Sequence, residues 1–171
     1  NVSYSANGAL FWDIINIYKE MNVGIKKAIE MTDDQIDSFA IDSFSNDFGL
    51  IDKNGQLLTQ VRCYRDERTA RHADKIYSKL SKEKLYELSG NQNALFNTYL
   101  QLGAMREDGH GFLLDNAYKL LFIPDLLINF LTGKTISEYT ISSVSQLYDF
   151  KKDDWCQEIL DSYDIPRELF G

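Results

Sequence analysis

The chain has 171 residues, of which 44% are hydrophobic and 13% aromatic, so it is long enough for one domain with a real core. Its net charge of −8 argues against a general nucleic-acid or anionic-membrane surface, because phosphate binding needs clustered Lys and Arg. Two distant cysteines indicate a reducing compartment, and no apolar run approaches the ~20 residues of a membrane helix. We therefore expect a cytoplasmic protein with neither nucleic acid nor membrane as a partner.

The first forty residues predict a loop or edge strand followed by an amphipathic helix. Residues 1–10 are polar and irregular, and the helix is predicted from Phe11 onward with Asp13 as a cap. Apolar residues then recur at helical spacing, which predicts that one face of this helix packs against a sheet. The residues of that face are Ile14, Ile15, Tyr18, Met21, Ile25, Ala28 and Ile29.

The next segment, residues 36–62, carries the clearest β pattern of the chain. It predicts strands at Phe39–Ile41 and Phe48–Ile51, then a turn at Asp52–Gly55 and a third strand from Leu57 to Val61. The polar break Ser43–Asp47 separates the first two strands. Because loops at strand ends often contact ligands, we expect the function of the chain to depend on this break.

The remainder of the chain predicts alternating helices and one further strand. An N-terminal helix cap is predicted at Asp66 or Thr69. The next helix is predicted to start at Ser81 and to end at Gly90. The other predicted elements are a helix at Leu95–Met105, a strand at Lys119–Ile123, a helix from Pro124 to Gly133, a helical stretch within Glu138–Tyr148, a helix at Asp154–Ser162 and a final helix from Ile165. One mixed α/β domain is expected.

Familiar catalytic and metal-binding motifs are not found in this sequence. Neither His72 nor His110 has a second ligand at metal-binding spacing, and there is no phosphate-binding glycine loop or nucleophile elbow. Arg68 and Arg71 are interpreted as solvated helix residues, so no phosphate chemistry is assigned to them. These residues alone support only an α/β domain.

Several blocks of the sequence, read in order, resemble the FGGY family of carbohydrate kinases. Each block alone is weak, but their order and spacing follow the family over nearly the whole chain, from about Gly8 to Gly171. Within the family, the branch that acts on L-rhamnulose is the most similar, with the L-fuculose branch next. The blocks are IDSFSNDFGLID, CYRDERT, SGNQNALFNTYLQL, FIPDLLINFLTGK, SEYTISSVSQLYD with the DW that follows, and IPRELFG.

The resemblance implies a ribonuclease H-like domain of the actin-like ATPase class, with a mixed sheet flanked by helices. It implies transfer of the γ-phosphoryl group of ATP to the C1 hydroxyl of a ketose, with magnesium and an aspartate base. We expect residues 1–171 to be an incomplete N-terminal, sugar-binding domain that is inactive alone. The C-terminal nucleotide domain would lie outside the chain, as would the catalytic aspartate and most of the site for ATP and magnesium.

The resemblance places the sugar-contacting loop of the family on the polar break. Ser45 matches a glycine that contacts sugar in the L-rhamnulose branch, and Asn46 follows it. We therefore predict that Ser45 and Asn46 bind substrate, with a plain polar turn as the alternative. A hydroxymethyl group in place of hydrogen makes the pocket smaller and leaves the identity of the ketose open.

Further site residues follow from the same comparison. Phe96 matches a substrate-contacting tyrosine of related kinases and is predicted to bind substrate with its neighbour Asn97, although core packing and helix capping are the alternatives. Arg65 and Asp66 are predicted to order their loop through hydrogen bonds, and Asp47 is also expected to be structural. No residue of the chain is assigned a catalytic or metal-binding role.

Two alternatives remain within this interpretation. The enzyme could be an L-fuculokinase or another ketose kinase, because Ser45 departs from the pattern of the L-rhamnulose branch. The chain could instead belong to a non-catalytic sugar-sensing or interaction module that kept the fold and lost the chemistry. Phosphorylation assays and the presence of the catalytic aspartate in the full-length protein would distinguish them.

Overall fold

A computed structural model describes residues 3–171 and shows a domain in which short strands alternate with helices. Residues 1 and 2, which belong to the predicted N-terminal loop, lie outside this range. The elements are β1 Ser3–Ala6, β2 Ala9–Trp12, α1 Ile14–Glu30, β3 Phe48–Ile51, α2 Arg68–Lys79, α3 Lys82–Ser89, α4 Thr98–Glu107, α5 Gly111–Asn116, β4 Lys119–Phe122, α6 Ile123–Thr132, α7 Tyr139–Ser143, β5 Tyr148–Asp149, β6 Asp154–Trp155, α8 Gln157–Asp161 and a final 3₁₀ turn at Arg167–Leu169.

An antiparallel hairpin, β1–β2, precedes the first helix. Its turn places Asn7 and Gly8 at positive φ, a backbone conformation that both residue types tolerate. The prediction that the helix begins at Phe11 is wrong, because Phe11 pairs with β1 and forms a bridge to Arg62. The predicted cap is confirmed: an Asp13 carboxylate oxygen accepts from the backbone N–H of Asn16 at 3.1 Å.

The apolar face of α1 is more exposed than its pattern predicts. Ile14 is buried in the first turn, whereas Ile15 is 60% exposed and Ile29 is also exposed. Tyr18 and Met21 are partly buried against the same cluster as Ile14. The predicted packing of this face is therefore wrong for its C-terminal half, because only the N-terminal half of the helix lies against the core.

The antiparallel pair β3–β4 forms the centre of the domain, with Leu50 opposite Leu120. Strands β3 and β4 were both predicted, but the strand predicted at Phe39–Ile41 is wrong. That segment is irregular, and Phe39 is 58% exposed, because no strand within residues 3–171 pairs with it. The strand predicted at Leu57–Val61 is also wrong, because the structure has an isolated β-bridge between Leu57 and Ile51 in its place.

Side chains on the two faces of β3–β4 enter different hydrophobic clusters, as expected for residues that alternate along a strand. Phe48 and Leu50 belong to a large cluster with α2, α4 and the C-terminal segments. Ile51 and Leu121 belong to a smaller cluster with Trp12, Ile14 and α6. The α/β fold therefore has a thin central sheet with helices on both sides.

Most helix ends agree with the sequence signals. The hydroxyl of Ser81 accepts from the N–H of Lys84, and Gly90 and Gly133 end α3 and α6 at φ values of 68° and 71°. Pro124 lies in the first turn of α6. At these positions a single residue type satisfies a local backbone requirement, which explains why the predictions succeeded.

Three helix predictions need correction. Helix α4 begins at Thr98 instead of Leu95, which is exposed in the preceding loop. The segment predicted as a helix from Asp154 begins with the short strand β6, because Trp155 pairs with Tyr148. Helix α5 was not predicted, and the final predicted helix is a single 3₁₀ turn.

Candidate functional site

Asp47 is a fully buried carboxylate at the end of the polar break, where the chain enters β3. Its Oδ2 accepts from the indole N–H of Trp12 at 2.6 Å and from the backbone N–H of Tyr64 at 3.0 Å. Its Oδ1 accepts from the side-chain amide of Gln101 at 2.9 Å. Burial raises the pKa of Asp47, and the hydrogen bonds from Trp12 and Gln101 oppose that rise.

Gln101 lies on α4 and holds several parts of the site with one amide group. Its Nε2, which carries two hydrogens, lies within hydrogen-bonding distance of three acceptors: Asp47 Oδ1, the carbonyl oxygen of Asn46 at 3.1 Å and that of Phe96 at 3.0 Å. Its Oε1 accepts from the guanidinium of Arg68 at 2.7 Å. The amide therefore joins the polar break to the loop before α4 and to the first turn of α2.

The polar break carries Asn46 in a conformation that few residue types adopt. Asn46 is buried at φ 70°, and its carbonyl oxygen also accepts from the hydroxyl of Thr98 at 2.9 Å. Its Nδ2 donates to the hydroxyl oxygen of Ser45 at 2.9 Å, whereas its Oδ1 is buried without a hydrogen-bond partner in the described chain. The half-buried Ser45 hydroxyl can therefore meet a ligand, whereas the Oδ1 of Asn46 is shielded from solvent.

Aromatic rings surround the polar break. Phe44 stacks on Trp12 with ring centroids 4.4 Å apart, and Tyr64 lies 6.3 Å from the same indole. Phe96 meets Tyr64 edge to face at 6.5 Å and is 38% exposed. These rings form apolar walls beside polar groups, a composition typical of small-molecule sites.

Trp12, Phe44 and Tyr64 were not among the predicted site residues. The available signal was their position: Phe44 lies inside the polar break, and Tyr64 belongs to the CYRDERT block. A single aromatic residue in a sequence, however, is more often part of a hydrophobic core. The two roles become distinguishable only when the rings are placed around one loop.

Two charged residues, Arg65 and Asp66, follow Tyr64. The Oδ1 of Asp66 accepts from the backbone N–H of Arg68 and from Arg62, each at 3.0 Å, and its Oδ2 accepts from the N–H of Leu10 at 2.8 Å. Burial acts to raise the pKa of Asp66, but the hydrogen bonds outweigh it and hold that pKa below its ordinary value. Exposed Arg65 lies over the Tyr64 ring, 5.2 Å from its centroid.

The structure brings Ser45, Asn46 and Phe96 to the same region but turns Asn97 inward. Asn97 is buried, and its Nδ2 donates to the carbonyl oxygen of Gln92 at 2.7 Å. It makes no side-chain cap to α4. Its geometry favours support of the Phe96 loop over direct contact with a ligand.

The interpretation of Arg68 as a solvated helix residue is wrong, whereas Arg71 is exposed as expected. Arg68 is 4% exposed, because its side chain extends from the start of α2 toward α4 and its guanidinium contacts Gln101. Burial and the nearby charge of Arg62 lower the pKa of Arg68 to about 10. Arg68 is therefore a buried cation beside the site.

The acids of the candidate site are occupied by hydrogen bonds. Both Asp47 and Asp66 accept several hydrogen bonds, so neither has the free, accessible carboxylate that a proton acceptor needs. Within residues 3–171, no three His, Cys, Asp or Glu side chains gather where they could hold a metal ion. The same part of the chain contains no helix long and apolar enough to cross a bilayer.

Solved sugar kinases share this fold. It matches a solved xylulose kinase from Lactobacillus acidophilus with a TM-score of 0.88 at 18% identity, covering 99% of this chain and 34% of that one. It also matches Plasmodium falciparum glycerol kinase, solved with ADP, with a TM-score of 0.77 at 18% identity over 96% of this chain and 35% of that one. This is the actin-like, ribonuclease H-like fold of sugar kinases, and the predicted fold class is confirmed.

The family model for the N-terminal domain of FGGY carbohydrate kinases matches residues 1–171, so the chain belongs to the FGGY family. Its relatives include rhamnulokinases from Oceanobacillus iheyensis, 36% identical, and Bacteroides thetaiotaomicron, 35% identical. Each match covers 96% of this chain, and 34% and 33% of the respective relative. The chain thus spans about a third of the length of these relatives, and the predicted resemblance is confirmed.

Proposed function

We propose that this chain supplies the sugar-binding part of an ATP-dependent kinase that phosphorylates the C1 hydroxyl of a ketose such as L-rhamnulose. The observation that carries the proposal is the 36% identity to a rhamnulokinase over 96% of the chain. The geometry supports it, because a rigidly held polar loop among partly exposed aromatic rings suits a small polyhydroxylated ligand.

In this proposal the polar break forms hydrogen bonds with the hydroxyl groups of the sugar. The Ser45 hydroxyl can donate or accept a hydrogen bond, and a small shift of the loop would expose the unpartnered Oδ1 of Asn46 as a further acceptor. Tyr64 and Phe96 would pack against the C–H groups of the ketose. Asn97, Arg65, Asp66 and Asp47 would act indirectly by holding these groups in place.

Phosphoryl transfer needs a proton acceptor, a nucleotide and a metal ion in line with the sugar. Asp47 and Asp66 are already occupied by hydrogen bonds, so the proposal assigns the catalytic aspartate and most contacts to ATP and magnesium to other parts of the protein. Residues 1–171 alone should then show no enzyme-like ATP hydrolysis. ATP hydrolysis by the isolated chain at such a rate would contradict this division of roles.

The serine at position 45 keeps the choice of ketose open. An L-fuculokinase or another ketose kinase fits the same fold, as does a sugar-sensing module without catalysis. The full-length protein that contains this chain should be assayed with ATP and L-rhamnulose, L-fuculose, L-xylulose or D-xylulose, following ADP release. Turnover of L-rhamnulose supports the main proposal, turnover of another ketose supports the first alternative, and sugar binding without turnover supports the second.

A further inference from the structure

A cleft of about 470 Å³ opens on the Phe48 and Leu50 face of β3 and has two arginines in its lining. Its walls are largely apolar, but Arg62, Arg68 and His110 also line it. No Asp or Glu occurs among the described residues that line it. Its apolar lining residues include Phe11, Leu58, Met105 and Phe112.

Arg68 contributes a buried guanidinium to the lining of this cleft. Its side chain donates from one terminal nitrogen to Gln101, a neutral partner. The ion pairs formed within residues 3–171 include none for Arg68. The charges of Asp66, Asp47 and Asp108 favour the charged form of Arg68, but none of these carboxylates forms an ion pair with its guanidinium. A carboxylate that entered this cleft would supply that missing direct partner.

Arg62 adds a second guanidinium to the same cleft. One terminal nitrogen of Arg62 pairs with Asp66 at 3.0 Å, whereas its Nε is buried without a hydrogen-bond partner in the described residues. A guanidinium has five N–H donors, and few of those on Arg62 and Arg68 are used. The guanidinium of Arg62 also lies 5.1 Å from the centre of the Phe11 ring, which fixes its orientation.

We propose that this cleft binds a small organic carboxylate, with its apolar body against Leu58, Met105 and Phe112 and its carboxylate toward Arg62 and Arg68. The flat, two-oxygen carboxylate matches the fork of N–H groups that a guanidinium presents. The volume of about 470 Å³ falls within the range of small-molecule sites, roughly 300–1,000 Å³.

The cleft is distinct from the polar break. Ser45, Asn46 and Phe96 are not among the residues that line it. The proposal therefore does not depend on which sugar, if any, the protein phosphorylates. Gln101 is nevertheless bonded to both Arg68 and Asp47, so it forms a physical connection between the two sites.

Binding should be measured on the whole chain by calorimetry and by amide chemical shifts in ¹H–¹⁵N spectra. The probes are phenylacetate and its neutral counterpart phenylacetamide, which have the same apolar body. Phenylacetate should shift the amides of Met105 and Phe112 and bind at least about tenfold more tightly than phenylacetamide, because charge-assisted hydrogen bonds are the stronger kind. Equal affinity of the two probes, or no binding of phenylacetate, would overturn the proposal.

Two variants test the charged side of the cleft, and a third serves as a control. Arg62→Gln should weaken phenylacetate binding about tenfold by removing one guanidinium. Gln60→Glu alters an exposed lining residue and should also weaken it, by introducing a negative charge. Arg71→Gln removes an exposed cation from α2 outside the cleft and should leave binding unchanged.

The two lining variants also separate ligand binding from folding. If Arg62→Gln unfolds because Asp66 loses its partner, the exposed Gln60→Glu variant still provides the test. Unchanged phenylacetate affinity in a folded Gln60→Glu protein would overturn the proposal, as would an equal loss of affinity in Arg71→Gln.

Discussion

The side-chain amide of Gln101 lies 2.9 Å from the carboxylate of Asp47, although 54 residues separate them in the sequence. Both side chains are buried, so their hydrogen bond is shielded from water. The same amide group accepts from Arg68. Gln101 therefore links a buried anion to a buried cation that are not in direct contact.

Replacement of Gln101 by Leu should destabilise the domain by about 2–3 kcal/mol, because Asp47 and Arg68 would both lose a hydrogen-bond partner in a buried environment. Urea unfolding followed by fluorescence measures the effect. The control is Gln157→Leu on the surface of α8, which should change stability by less than about 0.5 kcal/mol. Similar losses in the two variants would show that the Gln101 network contributes no special stability.

Replacement of Ser45 by Arg should block the proposed sugar site while leaving the fold intact, because Ser45 is half-buried in a surface loop. In the full-length protein we expect sugar affinity to fall by about tenfold or more. The matched control is Ser78→Arg at an exposed position of α2, where affinity should not change. Unchanged affinity in Ser45→Arg, measured by calorimetry, would remove Ser45 from the site.

Two glycines in helices should respond to alanine in opposite directions. A Cβ at Gly103 of α4 would lie 2.9 Å from the Cδ1 of Ile76 in α2, so Gly103→Ala should cost about 1–3 kcal/mol. A Cβ at Gly24 of α1 would meet no atom within 4 Å, so Gly24→Ala should stabilise the domain by about 0.5–1 kcal/mol. Thermal unfolding of both variants tests the pair, and destabilisation by both would contradict the expected contrast.

Asp125 should make the stability of the domain depend on pH. Burial, with the charge of Glu138 adding to it, raises the pKa of Asp125 to about 6, and its Oδ1 has no hydrogen-bond partner in the described residues. The unfolded chain has an ordinary aspartate pKa of about 3.9. Folding therefore favours the protonated form, so this contribution to stability is complete below about pH 4 and is lost as the pH rises through about 6.

Asp125→Asn should remove most of that pH dependence. At pH 8 the variant should be about 1–2 kcal/mol more stable than the wild type, and the advantage should shrink toward pH 4. Urea unfolding across this pH range measures it, with the exposed Asp74→Asn as a control that keeps the wild-type profile. A constant difference between Asp125→Asn and wild type at all pH values would exclude titration of Asp125 as the cause.

The parts of the fold that were predicted from the sequence rest on local rules. The ends of α3 and α6 follow from Ser81, Gly90 and Gly133, because each meets a backbone requirement within its own turn. The strand expected at Phe39–Ile41 has a correct local pattern, but a strand also needs a neighbour to pair with. Local pattern contains no information about that neighbour.

The candidate site depends more strongly on distant contacts. The polar break was singled out by its position at the end of a predicted strand, but the choice of Ser45, Asn46 and Phe96 came from family resemblance. The burial of Arg68 could not be predicted, because its partner Gln101 is 33 residues away and neutral. An arginine near the start of a polar helix is normally solvated, and only tertiary packing reverses that expectation.

The contacts of Gln101 also bear on the order in which the domain folds. Its hydrogen bonds to Asn46 and Asp47 close chain segments of 55 and 54 residues, and such closures carry an entropic cost that local contacts avoid. The polar break should therefore stay mobile until α4 has docked. In a refolding experiment, its amide protons should become protected from exchange together with those of α4, after the hairpin β1–β2 and helix α1 have formed.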